Sequence, residues 1–216
     1  MKEQTFLFAD LAGFSALTEA HGDEDAADLV GDFCNCVREL LGGYAAEEVK
    51  TIGDAIMLRC SDQAQAVELG VRIVEEVGGR PGFPVVRVGM HSGAATERRG
   101  DWFGSAVNLA ARVSAAAGGD EVLLSEATYK GTRNVPGVEL SRHGEHRFKN
   151  VRDPVRLYRA ARRGRGDHQR LIDPVCRMAV DPERAAGTLD YDGRTYVFCA
   201  LECVRVFSEA PASYVA

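Results

Sequence analysis

The spacing of apolar positions changes along the chain, and each change predicts an element. Thr5 to Ala9 is a short continuous apolar run ending on Asp10, the pattern of a buried strand, and Gly13 and Ser15 then permit a turn into helix. From Asp23 to Leu41 the period becomes helical, with Ala27, Val30, Cys34, Val37 and Leu41 on one stripe. Glu48 to Leu58 reads as two strand-like pieces around Gly53-Asp54, a dipeptide suited to a tight hairpin turn. Ala64 to Val77 predicts another amphipathic helix, closed by the Gly/Pro-rich run from Gly78 to Gly82. Val85 to Gly93 is a strand with His91 inside it as a structural histidine, and Thr96 to Gly100 is a polar connection. A helix follows from Ala106, with Val107, Ala110, Ala111 and Val113 available for packing. Glu121 to Leu124 is a strand, Ser125 is placed to cap a short helix, and Val138–Phe148 and Pro154–Arg159 complete the pattern as strands. Interleaved strands and helices of this kind predict an α/β or α+β sandwich with helices packed on a sheet.

The pattern breaks once. Ala160 to Arg170 is rich in arginine and glycine and nearly free of apolar residues, as expected of a linker. Beyond it, Asp173-Pro-Val-Cys176 opens a second unit that ends with Tyr196-Val-Phe-Cys199-Ala-Leu-Glu-Cys203 and a helix over Leu201–Ser208. The chain therefore divides into 1–160, a basic linker over 161–170, and a cysteine-bearing module over 171–216.

Composition narrows the function classes. The 216 residues are 45% hydrophobic and 27% charged, as in a soluble globular protein. A net charge of −6 argues against a nucleic-acid binder. No apolar run approaches the roughly 20 residues of a membrane span, and the opening Met1-Lys-Glu-Gln is unlike a signal peptide. A cytoplasmic setting is expected, with the six cysteines reduced, so that clustered cysteines point to metal or thiol chemistry. Cys34 and Cys36 lie two apart on a helix and face different ways, which makes them packing residues.

The chemistry concentrates in Asp101-Trp-Phe-Gly-Ser-Ala-Val-Asn108-Leu-Ala-Ala-Arg112. Asn108 and Arg112 project from one helix face, one turn apart, and a guanidinium offers phosphate oxygens a planar fork of donors. The plain alternative is a solvated face. Asp10 at a strand end and Asp54 at a hairpin tip converge if their strands are neighbours, and two such carboxylates call for a divalent cation. Otherwise one serves a turn and the other caps a helix. Loops of the form Gly-x-x-x-x-Gly-Lys-Ser/Thr, Gly-x-Gly-x-x-Gly after a strand and His-Glu-x-x-His are absent from the sequence.

Phe8-Ala-Asp10-Leu-Ala-Gly-Phe14, Lys50-Thr-Ile-Gly-Asp54 and Asp101 to Arg112, in that order and with Asn108 and Arg112 seven and eleven positions after Asp101, resemble the class III adenylate/guanylate cyclase catalytic domain over about residues 3–160. The resemblance implies a ferredoxin-like nucleotide cyclase sandwich of α+β class that forms cyclic AMP from ATP. Asp10 and Asp54 match the family's metal-binding aspartates, which hold two Mg²⁺ or Mn²⁺ ions against the triphosphate. Lys50 and Asp101 match the pair that reads the purine. A lysine donor and an aspartate acceptor suit adenine rather than guanine. Asn108 matches the ribose-orienting residue, and Arg112 the one that stabilises charge on the α-phosphoryl group. In the family the metal aspartates and the other four residues come from different subunits, so a head-to-tail homodimer is implied. A guanylate cyclase and a catalytically weak nucleotide- or metal-binding signalling module are the alternatives.

Residues 172–215 resemble YHS/TRASH-like modules, small treble-clef-type units associated with heavy metals. Cys176, Cys199 and Cys203 are then ligands for an ion such as zinc or copper, and such an ion would tune the cyclase. A closed zinc site takes four ligands. Water, His168 in the linker or a carboxylate would serve as the fourth, and spacing marks none of them. The alternative is that the thiols only pack a small core.

Overall fold

The computed structural model describes residues 3–80, 82–132, 134–164 and 171–215. Strand β1 (Gln4–Leu11) leads through a Gly13 turn into α1 (Phe14–His21) and α2 (Asp23–Leu41). The hairpin β2 (Ala46–Ile52) and β3 (Ala55–Cys60) turns at Gly53, whose φ of 61° suits glycine. Then come α3 (Gln63–Arg72) and β4 (Val86–Gly93), followed by the small hairpin β5 (Thr96–Arg98) and β6 (Asp101–Phe103) and by α4 (Ser105–Ala116). After β7 (Val122–Ser125), α5 (Glu126–Gly131), β8 (Val138–His146) and β9 (Val155–Arg162), the C-terminal part holds β10 (Gly187–Tyr191), β11 (Arg194–Phe198) and α6 (Leu201–Glu209).

Seven strands form one sheet in the order β2-β3-β1-β4-β7-β9-β8. Its first half is a β-α-β-β-α-β unit of ferredoxin-like strand order, antiparallel throughout, and β7 joins β4 in parallel after the crossover through α4. Every residue of β1 is buried except the half-buried Asp10, because helices cover both faces of the sheet. Alternation sends Leu7, Ala9 and Leu11 to the face packed by Phe33, Val37, Val67 and Ile73. Phe6 and Phe8 go to the other face, against Met57, Ala106, Val107 and Ala110. Asp10 continues the second series, so its carboxylate stands on the α4 face.

The predicted α+β sandwich is what forms, with four local differences. The buried stripe of α2 is Ala26, Phe33, Cys34 and Val37, while Ala27 is exposed, because α1 and the C-terminal module cover the Ala26 side of the helix. The helix expected through Val77 is α only to Arg72 and continues as one π-helical turn, Ile73–Val77, with Ile73, Val74 and Val77 all buried. Thr96–Gly100 is no simple connection: Arg99 and Gly100, with φ of 54° and 79°, turn the β5–β6 hairpin. Ser125 precedes α5 without capping it, since its Oγ lies 2.6 Å from His91 Nδ1 instead. Cys34 joins the main core and Cys36 contacts Arg80, and neither is in the cysteine–histidine cluster found among the described residues.

The C-terminal module shares its core with the cyclase-like part. Val175, Cys176, Met178, Phe198, Cys203 and Phe207 pack with Leu17 of α1 and Ala26 of α2. A unit this small buries too little surface to stand comfortably alone, and borrowing two helices offsets that deficit. Of the linker, β9 takes residues up to Arg162, and 165–170 lie outside the described residues. Among the described residues no helix is long and apolar enough to cross a membrane.

Candidate active site and a cysteine–histidine cluster

The β1–β3 register sets Asp10 opposite Ala55, next to the hairpin tip that carries Asp54. The two carboxylates meet there. Burial, reinforced by the negative charge of Asp10, pushes the Asp54 carboxyl up to about 6. On its other flank Asp10 pairs in register with Arg87 of β4, whose Nε donates to Oδ2 at 2.7 Å and whose second guanidinium nitrogen reaches the same oxygen. One guanidinium balances one carboxylate of the two. The remaining negative charge and a set of hard oxygen donors fit a divalent cation of the Mg²⁺ or Mn²⁺ type.

Lys50 sits at a β-bulge in β2, where the register shifts between Glu48 and Lys50, and a bulge re-aims side chains. Its Nζ donates to Asp101 Oδ2 at 2.6 Å, so two residues 51 positions apart touch within one chain. The Lys50 hydrogen bond holds the Asp101 carboxyl below the usual carboxylate range, and the Trp102 N–H donates to its Oδ1 at 2.8 Å. The hairpin bearing Asp101 is anchored by Trp102, which packs against Phe6 at 5.6 Å between ring centroids and under the Arg59 guanidinium at 5.4 Å.

On α4, Asn108 is exposed and Arg112 is half-buried one turn on. One terminal nitrogen of Arg112 is buried without a hydrogen-bond partner among the described residues. Leaving such a donor unpaired costs about 1–3 kcal/mol, which a phosphate oxygen would relieve. The structure thus joins Asp10 to Asp54 and Lys50 to Asp101, and places Asn108 and Arg112 on the helix that covers the same sheet face. Arg87 was missed from the sequence. Its signal was a charged residue inside the apolar run of β4, at a strand position opposite a candidate ligand.

At the other pole, Cys176, Cys199 and Cys203 come together with His21 of α1, and the four ligand atoms lie within 4.8 Å of one another. Sγ–Sγ separations are 3.3 Å for Cys176–Cys199 and 4.0 Å for Cys199–Cys203, and His21 Nε2 is 3.5 Å from Cys199 Sγ. Hydrogen bonds from Cys176 and Cys199 hold the Cys203 thiol well below its ordinary range, whereas hydrogen bonds with Cys199 and Cys203, and then burial, raise Cys176. His168 lies outside the described residues, and the fourth ligand-type group in the structure is His21, 178 positions from Cys199.

Comparison with known proteins agrees with this architecture. The family model of the adenylate and guanylate cyclase catalytic domain matches residues 1–160, and that of the YHS domain matches residues 171–216. The chain belongs to the adenylate/guanylate cyclase catalytic domain family. It is 37% identical over 164 residues to a pH-sensitive adenylate cyclase of Mycobacterium tuberculosis, covering 74% of this chain and 41% of that protein. It is 38% identical over 138 residues to an adenylate cyclase of Streptomyces griseus, covering 64% and 33%. The chain spans less than half the length of these curated relatives. Among solved structures, an adenylate cyclase of Trypanosoma brucei in its monomeric state superposes with a TM-score of 0.68 at 24% identity, covering 74% of this chain and 88% of that one. An adenylyl cyclase of P. aeruginosa does so with a TM-score of 0.63 at 24% identity, covering 76% and 97%.

Proposed function

We propose that this chain is an adenylate cyclase, converting ATP to 3′,5′-cyclic AMP and pyrophosphate, and that it works as a head-to-tail homodimer. The observation that carries the reading is the meeting of Asp10 with Asp54 on the sheet face that also bears the Lys50–Asp101 pair and α4. Lys50 donates to a ring nitrogen of adenine, and Asp101 accepts from its exocyclic amine. Asn108 orients the ribose. The 3′-oxygen attacks the α-phosphorus, its proton leaves to solvent, and the bond from that phosphorus to the oxygen bridging to the β-phosphate breaks. Arg112 donates to the charge that grows on the α-phosphoryl oxygens, a role whose loss typically costs ~3–4 kcal/mol of transition-state stabilisation. Divalent ions held by Asp10 and Asp54 would supply Lewis-acid activation of the 3′-hydroxyl and neutralisation of the leaving pyrophosphate.

Two large apolar side chains support the dimer. Ile52 is 48% exposed and Phe103 is 53% exposed. Phe103 lies under the Lys50 ammonium at 5.9 Å, and Ile52 is two residues from Lys50 on the same strand face. Exposed apolar surface beside a substrate-reading pair is where a second subunit would bring its own Asp10 and Asp54. In the module, Cys176, Cys199 and Cys203 hold a thiophilic ion such as zinc or copper.

The test is cyclic nucleotide formation by the purified chain with ATP and GTP in parallel and Mn²⁺ or Mg²⁺ supplied. Cyclic AMP from ATP, lost in Asp54→Ala, is expected. A dimeric protein that turns over neither nucleotide would instead mark a nucleotide-binding signalling module.

A further inference from the structure

We propose that His21 of the catalytic domain completes the cysteine site of the C-terminal module, so that one thiophilic metal ion is held by Cys176, Cys199, Cys203 and His21 across the boundary between the two parts. The ion thereby fastens the module onto the segment that follows Asp10.

The distances suit a tetrahedral ion. With metal–sulfur bonds of ~2.3 Å and metal–nitrogen bonds of ~2.0–2.1 Å, a tetrahedron has S···S edges near ~3.8 Å and S···N edges near ~3.6 Å. The separations of 3.3 and 4.0 Å between sulfurs lie on either side of the first edge, and the 3.5 Å between His21 Nε2 and Cys199 is close to the second. The cysteine loops are also set from behind. Asp173, fully buried, accepts from the Val175 N–H at 2.8 Å and the Cys176 N–H at 3.4 Å through one oxygen. Its other oxygen accepts from the Cys199 N–H at 2.9 Å. Such outer-shell partners hold ligand-bearing loops in register. A cleft of about 200 Å³ lined by His21, Met178, Ala179, Arg184 and Cys199 gives an ion access from solvent.

The site reaches the catalytic segment by three routes. His21 is the last residue of α1, the helix that begins four residues after Asp10. Arg177, next to Cys176, lies over Gly13 so closely that a Cβ there would come within 2.6 Å of its Cγ. Backbone bonds from Val85 N–H to Arg177 carbonyl (3.1 Å) and from Ala179 N–H to Phe83 carbonyl (2.9 Å) tie the cysteine turn to the strand entry that leads to Arg87, the partner of Asp10. Metal loading therefore orders the Asp10–His21 segment. That this alters turnover rests on the adenylate cyclase reading, whereas the metal site itself does not.

The test uses the whole 216-residue chain with its thiols reduced and Mg²⁺ in excess. It is titrated with Co²⁺, with Zn²⁺ in competition, and followed by absorption and by backbone hydrogen exchange. One equivalent of Co²⁺ with a tetrahedral, thiolate-rich spectrum is expected. His21→Ala should weaken binding by at least ~100-fold, beyond the ~10–100-fold typical of an outer-shell partner. His21→Cys should restore affinity and add thiolate charge-transfer intensity. Loading should increase protection of Ala12–His21 in the wild type and leave it unchanged in His21→Ala at equal occupancy. An unchanged affinity and spectrum in His21→Ala, or no tetrahedral Co²⁺ in the wild type, overturns the site. Equal exchange with and without metal overturns the coupling. A chain that responds in exchange yet makes no cyclic AMP leaves this inference standing and removes the cyclase reading.

Discussion

Gly89→Ala tests how the helix bearing Asn108 and Arg112 is seated. Gly89 lies mid-strand in β4, where α4 crosses with no side chain between the backbones. A Cβ added there would stand 1.9 Å from the Ser114 nitrogen, 2.2 Å from its Cα and 2.4 Å from the Val113 carbonyl carbon. Carbon contacts are comfortable at about 3.5–4.0 Å, so α4 must retreat by roughly 1.5 Å. The retreat also stretches the bond from Ser114 Oγ to the Phe8 carbonyl, now 3.1 Å. Overpacking of this kind costs about 1–3 kcal/mol, and a shift near 1 Å at a reacting group can cost ~100-fold in rate. Urea unfolding should therefore show a lowered midpoint, and ATP turnover with Mn²⁺, measured well below the melting temperature, should fall about 100-fold. Gly31→Ala on α2 is the control. Nothing lies within 4 Å of its added Cβ, and it should gain about 0.5–1 kcal/mol with turnover unchanged. If Gly89→Ala keeps both midpoint and turnover, α4 does not sit on β4 as described.

Two further predictions concern pH, and their signs differ. The Asp54 carboxyl is raised from 3.8 to about 6 in the fold, so the metal-free protein loses stability as pH rises through that interval. In chelator, Asp54→Asn should melt higher than wild type above pH 6, the difference vanishing towards pH 4; equal melting curves across the range would remove the carboxylate pair. His91 runs the other way. Burial lowers it from 6.5 to about 4, so its contribution is full above 6.5 and is lost as pH falls to 4. His91→Gln should flatten the decline of unfolding free energy over that window, and an undiminished slope would exclude His91 as its source.

What the sequence determined by itself was local or carried by residue type. The two-residue turn at Gly53-Asp54 follows from glycine's access to positive φ, and α4 from an alanine-rich run after Gly104. As candidates, Asp10, Asp54, Asp101, Asn108 and Arg112 stood out because a carboxylate at a strand end or turn, or a guanidinium on an alanine-rich face, is anomalous where it stands, whereas Lys50 entered through the resemblance of Lys50-Thr-Ile-Gly-Asp54 to the cyclase family. Cys176, Cys199 and Cys203 stood out as a group through their clustering in one small unit and its resemblance to YHS-type modules. Only the tertiary structure decided who meets whom. Arg87 finds Asp10 because β4 lies beside β1, 77 positions away. Ser125 turns from its helix to His91 because β7 runs parallel to β4. His21 joins the cysteines because a module too small to close its own core takes Leu17 and Ala26 from the first two helices, and the end of α1 arrives with them. Periodicity reports which face of an element is apolar. It carries no information on which distant element will cover that face, since that is settled by strand order and packing over the whole chain.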